Sequence, residues 1–267
     1  MQLDLNNQTI TANGVALDVT DGAIVKLSNG TINASSSIAR VIGNSTLIVE
    51  SGTYNSQDSA FWAGSEGQVG RIIVNDANVT SQEFALGVLG QDSYLEVNGG
   101  EFTAKDNAVI AGNGQAKYAG TDIVINGGTF NGNITSTGYI ACGVYQPQDG
   151  TLTINGGTFN INNGVGVLVR AGDVEINDGV IINTTGNVTG KVGDSRVLAN
   201  CSAIYVDGAA NYPGWQADTS TTTVNGGTFT SDVKIATVSL MAGAQVSDHF
   251  VVNNDAIAAK DIEYFSA

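Results

Sequence analysis

Short runs of alternating apolar and polar residues recur along the whole chain, and each run is broken by turn-forming residues. The clearest runs are residues 95–102, 123–130, 152–159 and 222–229, and each carries Asn-Gly-Gly before a closing Phe. Alternation with a period of two predicts a β-strand with one buried side. Asn and Gly enter positive φ at low cost, so the Asn-Gly-Gly predicts a tight turn inside each unit.

Looser copies of the same phrase lie at residues 3–10, 25–32, 47–54, 72–79 and 174–181. The closing apolar residues are Ile10, Ile32, Tyr54, Val79, Phe102, Phe130, Phe159, Ile181 and Phe229. Their spacing is 22 to 29 residues, except for one gap of 48. A second phrase, a small residue followed by apolar residues, lies between copies and occurs once in that gap, at Ala203-Ile204. We therefore interpret the gap as one coil with long loops.

A unit of about 22 residues cannot bury its apolar side alone, whereas stacked units bury one another. The sequence therefore predicts an all-β protein, a single-stranded right-handed parallel β-helix of about nine coils over residues 1–244. Each coil would add about 4.8 Å, which gives a rod of about 43 Å. Equivalent Asn side chains would stack into amide ladders, and outward Thr and Asn residues would align into two columns. We expect residues 245–267, which leave the repeat, to cap the rod or attach it to a partner.

The Asn-Gly-Gly-Thr-Phe phrase and the opening Leu-Asp-Leu-Asn-Asn-Gln-Thr-Ile resemble the right-handed parallel β-helix repeat proteins of the pectate-lyase-like group. The resemblance covers residues 3 to about 240. That group includes polysaccharide lyases and hydrolases, phage fibres and tailspikes, and bacterial adhesins. The resemblance therefore implies a fold and leaves the function open.

The enzymes of that group depend on an Arg or Lys base with calcium held by grouped acids, or on close aspartates with a His. In this chain the four arginines are scattered, and the single His, His249, lies outside the repeat. Two distant cysteines, Cys142 and Cys201, and one His are too few for a zinc site. We therefore expect no enzyme activity, no catalytic residues, no metal and no cofactor.

The charge balance restricts the partners. The chain has 10 Lys and Arg against 25 Asp and Glu, a formal net charge of −15. An acidic surface repels phosphate backbones, and no segment approaches the roughly 18 apolar residues of a membrane span. Nucleic acid and membrane insertion are therefore not expected. The sequence shows no secretory leader and no lid before the first coil, which favours either a truncated longer chain or a docking surface at that end.

The candidate binding residues lie in the 48-residue gap, on loops at residues 182–201 and 209–221. They are Lys191, Arg196, Tyr212, Trp215 and Gln216. Long loops on a rigid scaffold often carry binding residues, and exposed Tyr and Trp rings can stack on sugars. The alternative interpretation is that Trp215 packs back on the rod and anchors its own loop.

These patterns favour a non-enzymatic virion-surface structural protein, such as a phage head fibre or a capsid decoration protein. It would display a rigid rod for adhesion or for covering the capsid. The expected partners are a capsid or other virion protein at one end of the rod, surface glycans and, by analogy with phage fibres, two further copies in a homotrimer. The alternatives are a bacterial adhesin or carbohydrate-binding repeat domain, on the cell surface or secreted, and a polysaccharide lyase or hydrolase.

Overall fold

The chain winds as a parallel β-solenoid with three faces. The computed structural model describes residues 1–133, 141–186, 190–192, 196–198, 200–208, 220–240 and 243–266. Within these ranges, nine coils each place strand residues on all three faces, and a shorter tenth coil adds strands to two of them. The predicted fold class, an all-β parallel solenoid of about nine coils, is confirmed. No helix in the described part of the chain is long and apolar enough to span a bilayer.

The first and second faces form one continuous hydrogen-bonded sheet, because two long strands run through both. The strands of the first face are the leading parts of β1 (Gln2–Ala12) and β3 (Ile24–Ala34), then β5 (Ser45–Val49), β8 (Gly70–Val74), β11 (Tyr94–Val97), β14 (Thr121–Ile125), β17 (Gly150–Ile154), β20 (Asp173–Ile176), β25 (Thr222–Val224) and β28 (Phe250–Val252). The strands of the second face are the trailing parts of β1 and β3, then β6 (Thr53–Ser56), β9 (Asn78–Ser81), β12 (Glu101–Ala104), β15 (Thr129–Asn133), β18 (Gly157–Asn162), β21 (Val180–Thr185) and β26 (Thr228–Ser231).

The third face is a separate sheet of ten parallel strands. They are β2 (Leu17–Val19), β4 (Ala39–Val41), β7 (Phe61–Ala63), β10 (Leu86–Val88), β13 (Ile110–Ala111), β16 (Ala141–Gln146), β19 (Gly164–Val169), β24 (Ile204–Gly208), β27 (Ala236–Leu240) and β29 (Ile262–Ser266). The remaining elements are an antiparallel hairpin of β22 (Gly190–Val192) and β23 (Arg196–Leu198), the one-turn helix α1 (Val246–His249), and two 3₁₀ turns, η1 (Ala116–Tyr118) and η2 (Ala259–Asp261). Between β28 and β29, Ile257 packs against the core.

The residues of the Asn-Gly-Gly-Thr-Phe phrase contribute in different ways to the corner between the first and second faces. A Cβ on the first glycine, Gly127, would lie 2.8 Å from the Asn98 carbonyl oxygen of the preceding coil, so a larger residue at this corner would require the coils to shift locally. The second glycine, Gly128, has a φ of +109°, which other residues adopt only with strain. The following Thr129 points outward, and Phe130 is fully buried.

The inward side chains of the second face form a stack of aromatic rings. The rings of Phe102, Phe130 and Phe159 lie nearly parallel, with interplanar angles of 10° and 12° and centroid distances of 5.2 and 4.6 Å. The sheet register places these residues directly above one another. Like residues in like positions therefore fill the core as a column, which accounts for the regular closing aromatic residue.

The gap of 48 residues is a single coil, as predicted. Strand β20 pairs with β25 and strand β21 pairs with β26, so no full coil lies between them. The hairpin of β22 and β23 lies within this gap, and residues 209–219 lie outside the described residues.

The predicted inward position of Ile181 is wrong by one residue. Ile182 pairs with Phe159 and is fully buried, whereas Ile181 pairs with Thr158 and is 38 % exposed. The turn that precedes β21 holds one residue more than the usual turn, so the strand enters with Val180 inward. Because side chains alternate across a strand, one extra residue moves every following side chain to the other side.

The predicted amide ladder is present at the corner that follows the first face. It runs through Asn75, Asn98, Asn126, Asn155, Asn177, Asn225 and Asn253. Each Nδ2 donates to the Oδ1 of the Asn one coil nearer the N-terminus, at 2.7 to 3.0 Å. The amide dipoles therefore all point the same way along the rod.

A carboxylate accepts the hydrogen bond at the donor end of this ladder and of a second one. Asn75 Nδ2 donates to Glu50 Oε2 at 2.7 Å, and this bond lowers the pKa of Glu50 below its ordinary value. A second ladder, on the outer side of the second face, ends where Asn131 Nδ2 donates to Glu101 Oε1 at 3.1 Å. A single amide is bound in the same way: Asn29 Nδ2 donates to Asp4 Oδ2 at 3.3 Å, and Asn29 Oδ1 accepts the Ser51 hydroxyl. A negative charge at the donor end of aligned dipoles is favourable, as it is at a helix N-terminus.

Replacement of Asn126 by Ala should destabilise the rod more than the same replacement of Asn253. Asn126 takes part in two ladder bonds and Asn253 in one, and each bond contributes about 1 kcal/mol. We expect losses of about 2 and 1 kcal/mol in the free energy of unfolding, measured by urea titration. Both residues are exposed and neither has a positive φ, so they form a matched pair. Equal losses would contradict the view that each ladder bond contributes to the free energy of unfolding.

Candidate functional site

Most of the binding residues predicted from the sequence lie outside the described residues. Tyr212, Trp215 and Gln216 belong to that group. The backbones of Lys191 and Arg196 lie on the hairpin, where Lys191 pairs with Val197 and Arg196 with Val192, but their side chains are also outside the described part. A common site for these five residues therefore stays a prediction.

The third face is buried on its outer side as well as its inner side in the later coils. Leu168 and Thr237 point away from the coil interior and yet are fully buried. Beside them, Arg170 and Asp207 form a fully buried ion pair, with 3.2 Å between Arg170 Nε and Asp207 Oδ2. Removal of one partner would strand a buried charge at a cost of about 3 to 5 kcal/mol. We assign this pair a structural role, because it fixes one coil against the next.

A pair of aromatic rings forms the clearest binding platform on the described surface. Trp62 and Phe84 lie half-buried on the outer side of the third face, with ring centroids 5.7 Å apart and nearly perpendicular planes. The Trp62 ring covers Gly87 in the next strand, where a Cβ would lie 2.2 Å from Cε3. Glycine at this position therefore lets the indole lie against the backbone.

Charged groups border the aromatic platform on two sides. One coil nearer the N-terminus, the Arg40 guanidinium binds both oxygens of Asp18, at 2.8 and 3.0 Å, and this contact raises the pKa of Arg40. On the side of the corner that precedes the third face lies Glu83. Burial raises the pKa of Glu83, and the nearby carboxylates of Asp58 and Asp106 raise it further. Apolar rings beside hydrogen-bonding groups have the composition of a sugar-binding surface.

Sequence reasoning missed this platform. Trp62 and Phe84 are 22 positions apart and neither belongs to the repeated Asn-Gly-Gly phrase. The signal in the sequence that could have identified it is Gly87. This glycine occupies an outward position in a strand, where no turn requires a glycine. Such a glycine often marks the close approach of another group.

The acidic residues of the first face lie in a groove of about 410 Å³ over the later coils. Asp173 and Glu175 project from β20 at positions i and i+2, and each already has a partner: the Thr221 backbone N–H donates to Asp173, and Asn225 donates to Glu175. The register separates Asp173 from Asp122 by two coils, with Thr151 between them. Among the described residues, no group of three or more His, Cys, Asp or Glu side chains is arranged to hold a metal ion.

Replacement of Glu83 by Gln should stabilise the rod at neutral pH. Because the pKa of Glu83 is raised on folding, its ionised form is less favourable in the folded chain than in the unfolded chain. The cost is fully present above the folded pKa and disappears as the pH falls below the ordinary pKa of 4.5, where the carboxyl is protonated in both states. The unfolding midpoint of E83Q should therefore exceed that of the wild type at pH 7, and the gain should shrink on acidification. The variant Asp76→Asn removes one exposed charge elsewhere and serves as the control; an equal effect there would contradict the local cause.

Comparison with known proteins identifies no relative. No family model, no curated protein and no solved structure matches the chain. The functional assignment therefore rests on the residues and the geometry described above.

Proposed function

We propose that this chain is a non-enzymatic structural rod displayed on a virion surface, as a head fibre or a capsid decoration protein of the pectate-lyase-like β-helix type. The supporting observation is how the outward polar side chains are used. Many of these side chains bind the neighbouring coil. The amide ladders, the carboxylates at their ends and the exposed ion pair of Arg40 with Asp18 each link one coil to the next. Side chains used in this way serve the stiffness of the rod.

The dimensions and charge of the molecule suit display in many copies. Nine coils at the strand spacing of about 4.8 Å give a rod of about 43 Å, and each coil contacts only its neighbours. A net charge of −15 favours solubility at high local concentration. An array on a capsid needs both properties.

The test is the composition of purified particles. Quantitative mass spectrometry of density-purified particles from the source of the chain should find it at a fixed ratio to the major capsid protein. An antibody against the folded rod should label the outside of intact particles in negative-stain micrographs. Release of the chain as a soluble product, with none in the particles, would contradict the proposal. So would the appearance of reducing ends or unsaturated products from neutral or acidic polysaccharides, with or without calcium.

A second candidate, a carbohydrate-binding adhesin, is favoured by the aromatic platform. The half-buried Trp62 ring is held flat over Gly87 and has hydrogen-bonding groups beside it. A rigid aromatic surface loses little entropy when a sugar ring stacks on it.

Two tryptophan variants test this candidate and separate the platform from the loop predicted by sequence. Truncation of a central Trp at an interface costs about 2 kcal/mol or more, which is about 30-fold in affinity. We expect Trp62→Ala to weaken retention on a glycan array by that factor and Trp215→Ala to leave it unchanged, with unfolding midpoints checked for both. A loss with Trp215→Ala alone would place the site on the loop instead. Array binding that neither variant changes would contradict both sites.

A further inference from the structure

The two outward columns of the first face have their cations in the earlier coils and most of their carboxylates in the later coils. One outward column, from the earlier to the later coils, consists of Ile24, Thr46, Arg71, Tyr94, Asp122, Thr151 and Asp173. The other consists of Lys26, Ile48, Ile73, Glu96, Val124, Thr153 and Glu175. Both cations and the three isoleucines precede β11, whereas Asp122, Asp173 and Glu175 follow it.

Strand β11 is the centre of this arrangement. Arg71 and Asp122 both pair in register with Tyr94, one from each side. Ile73 and Val124 flank Glu96 in the same way. Three coils before and three coils after β11, the equivalent positions of the second column hold Lys26 and Glu175. The face is therefore complementary to its own reversed copy.

We infer that two copies of this chain bind through their first faces with the rods antiparallel, around a two-fold axis that lies along β11. A rotation of one copy by half a turn about the strand direction places each column opposite the same column of the other copy, with the order of the coils reversed. Arg71 then faces Asp122 of the second copy, Lys26 faces Glu175, and Ile73 faces Val124. Tyr94 meets its own equivalent on the axis. This pairing does not depend on where the rod is displayed.

The available area fits a reversible dimer. Coils two to eight span about 34 Å along the rod, and a five-residue strand spans about 16 Å, so each copy offers about 550 Å². The total of about 1,100 Å² lies at the low end of specific interfaces. The side chains at its centre are partly or fully exposed, including Arg71 and Asp122. We therefore expect a dimer that forms at high protein concentration and weakens with salt.

Two carboxylates on the face meet no cation of the second copy: Glu96 meets its own equivalent on the axis, and Asp173 meets an isoleucine. Each of the two is already bound within its own chain. Glu96 accepts hydrogen bonds from the Tyr94 hydroxyl at 2.7 Å and from Asn98 Nδ2 at 2.9 Å. Asp173, opposite Ile24, accepts the Thr221 backbone N–H at 3.0 Å. Lys26 also contacts Glu50 of its own chain, at 3.4 Å. These contacts lower the cost of bringing the faces together and keep the dimer weak.

Charge reversal at the central pair tests the inference. By sedimentation equilibrium in low salt, the wild-type mass should rise from 27.3 kDa towards twice that value with concentration. Asp122→Arg places two like charges opposite each other in both halves of the dimer, and its dissociation constant should increase at least about tenfold. Asp76→Arg, which makes the same charge change at an exposed corner outside both columns, should leave dimerisation as in the wild type.

The exchanged variant Arg71→Asp with Asp122→Arg restores the opposite charges across the axis, and its dimerisation should return. Restoration also shows that Asp122→Arg did not act by unfolding the chain. A wild-type chain that stays monomeric, a trimer, a dimer insensitive to Asp122→Arg, or no restoration by the exchange would each overturn the inference.

Spin labels distinguish the antiparallel arrangement from a parallel one. Both native cysteines are buried, so a label can be attached to Thr46→Cys alone. Thr46 lies two coils from β11, so the two labels of an antiparallel dimer are four coils apart, about 19 Å along the rod. Rods that bind in parallel would bring the labels directly opposite each other, and such a short distance would contradict the antiparallel two-fold.

Discussion

The backbone contact between successive coils at the Asn-Gly-Gly corner controls the rest of this structure. A side chain on the first glycine would collide with the carbonyl oxygen of the coil below, so glycine there allows strand spacing to continue through the turn. Once the corners stack, the Asn side chains reach each other and the Phe rings stack behind them. In the coils that carry this phrase, the core, the ladder and the outward columns are built on this one approach.

These features could be predicted from the sequence because the same pattern of residues recurs in many coils. Alternating residues predict strands, the paired glycines predict the corner, and the spacing of the closing residue predicts the number of coils. The 48-residue gap was predicted as one coil because only one second phrase occurs in it. The error at Ile181 also comes from reliance on the repeat. The phrase reads Asn-Asp-Gly there, and a pattern of apolar residues alone does not reveal that the turn is one residue longer.

The candidate sites were less accessible to sequence reasoning because they depend on contacts between coils that share no phrase. Trp62 binds over Gly87 of the next coil, and Arg170 meets Asp207 across the 48-residue gap. A repeat pattern averages over coils, whereas these contacts are specific to one pair of coils. The loop residues singled out from their length and aromatic content were chosen by a general rule, and Lys191 and Arg196 are the two whose backbones the structure places.

The direction of the amide ladder has a further consequence. Seven Asn side chains span about 29 Å, and each uses its nitrogen towards one end and its oxygen towards the other. If one amide turned over, it would face oxygen with oxygen on one side and nitrogen with nitrogen on the other, so a reversal in mid-ladder creates two mismatches. The orientation is thus decided collectively, and three carboxylates, Glu50, Glu96 and Glu175, favour it because each accepts a hydrogen bond from an amide nitrogen of the row. The row of amides therefore gives the rod a dipole with one fixed direction along its length.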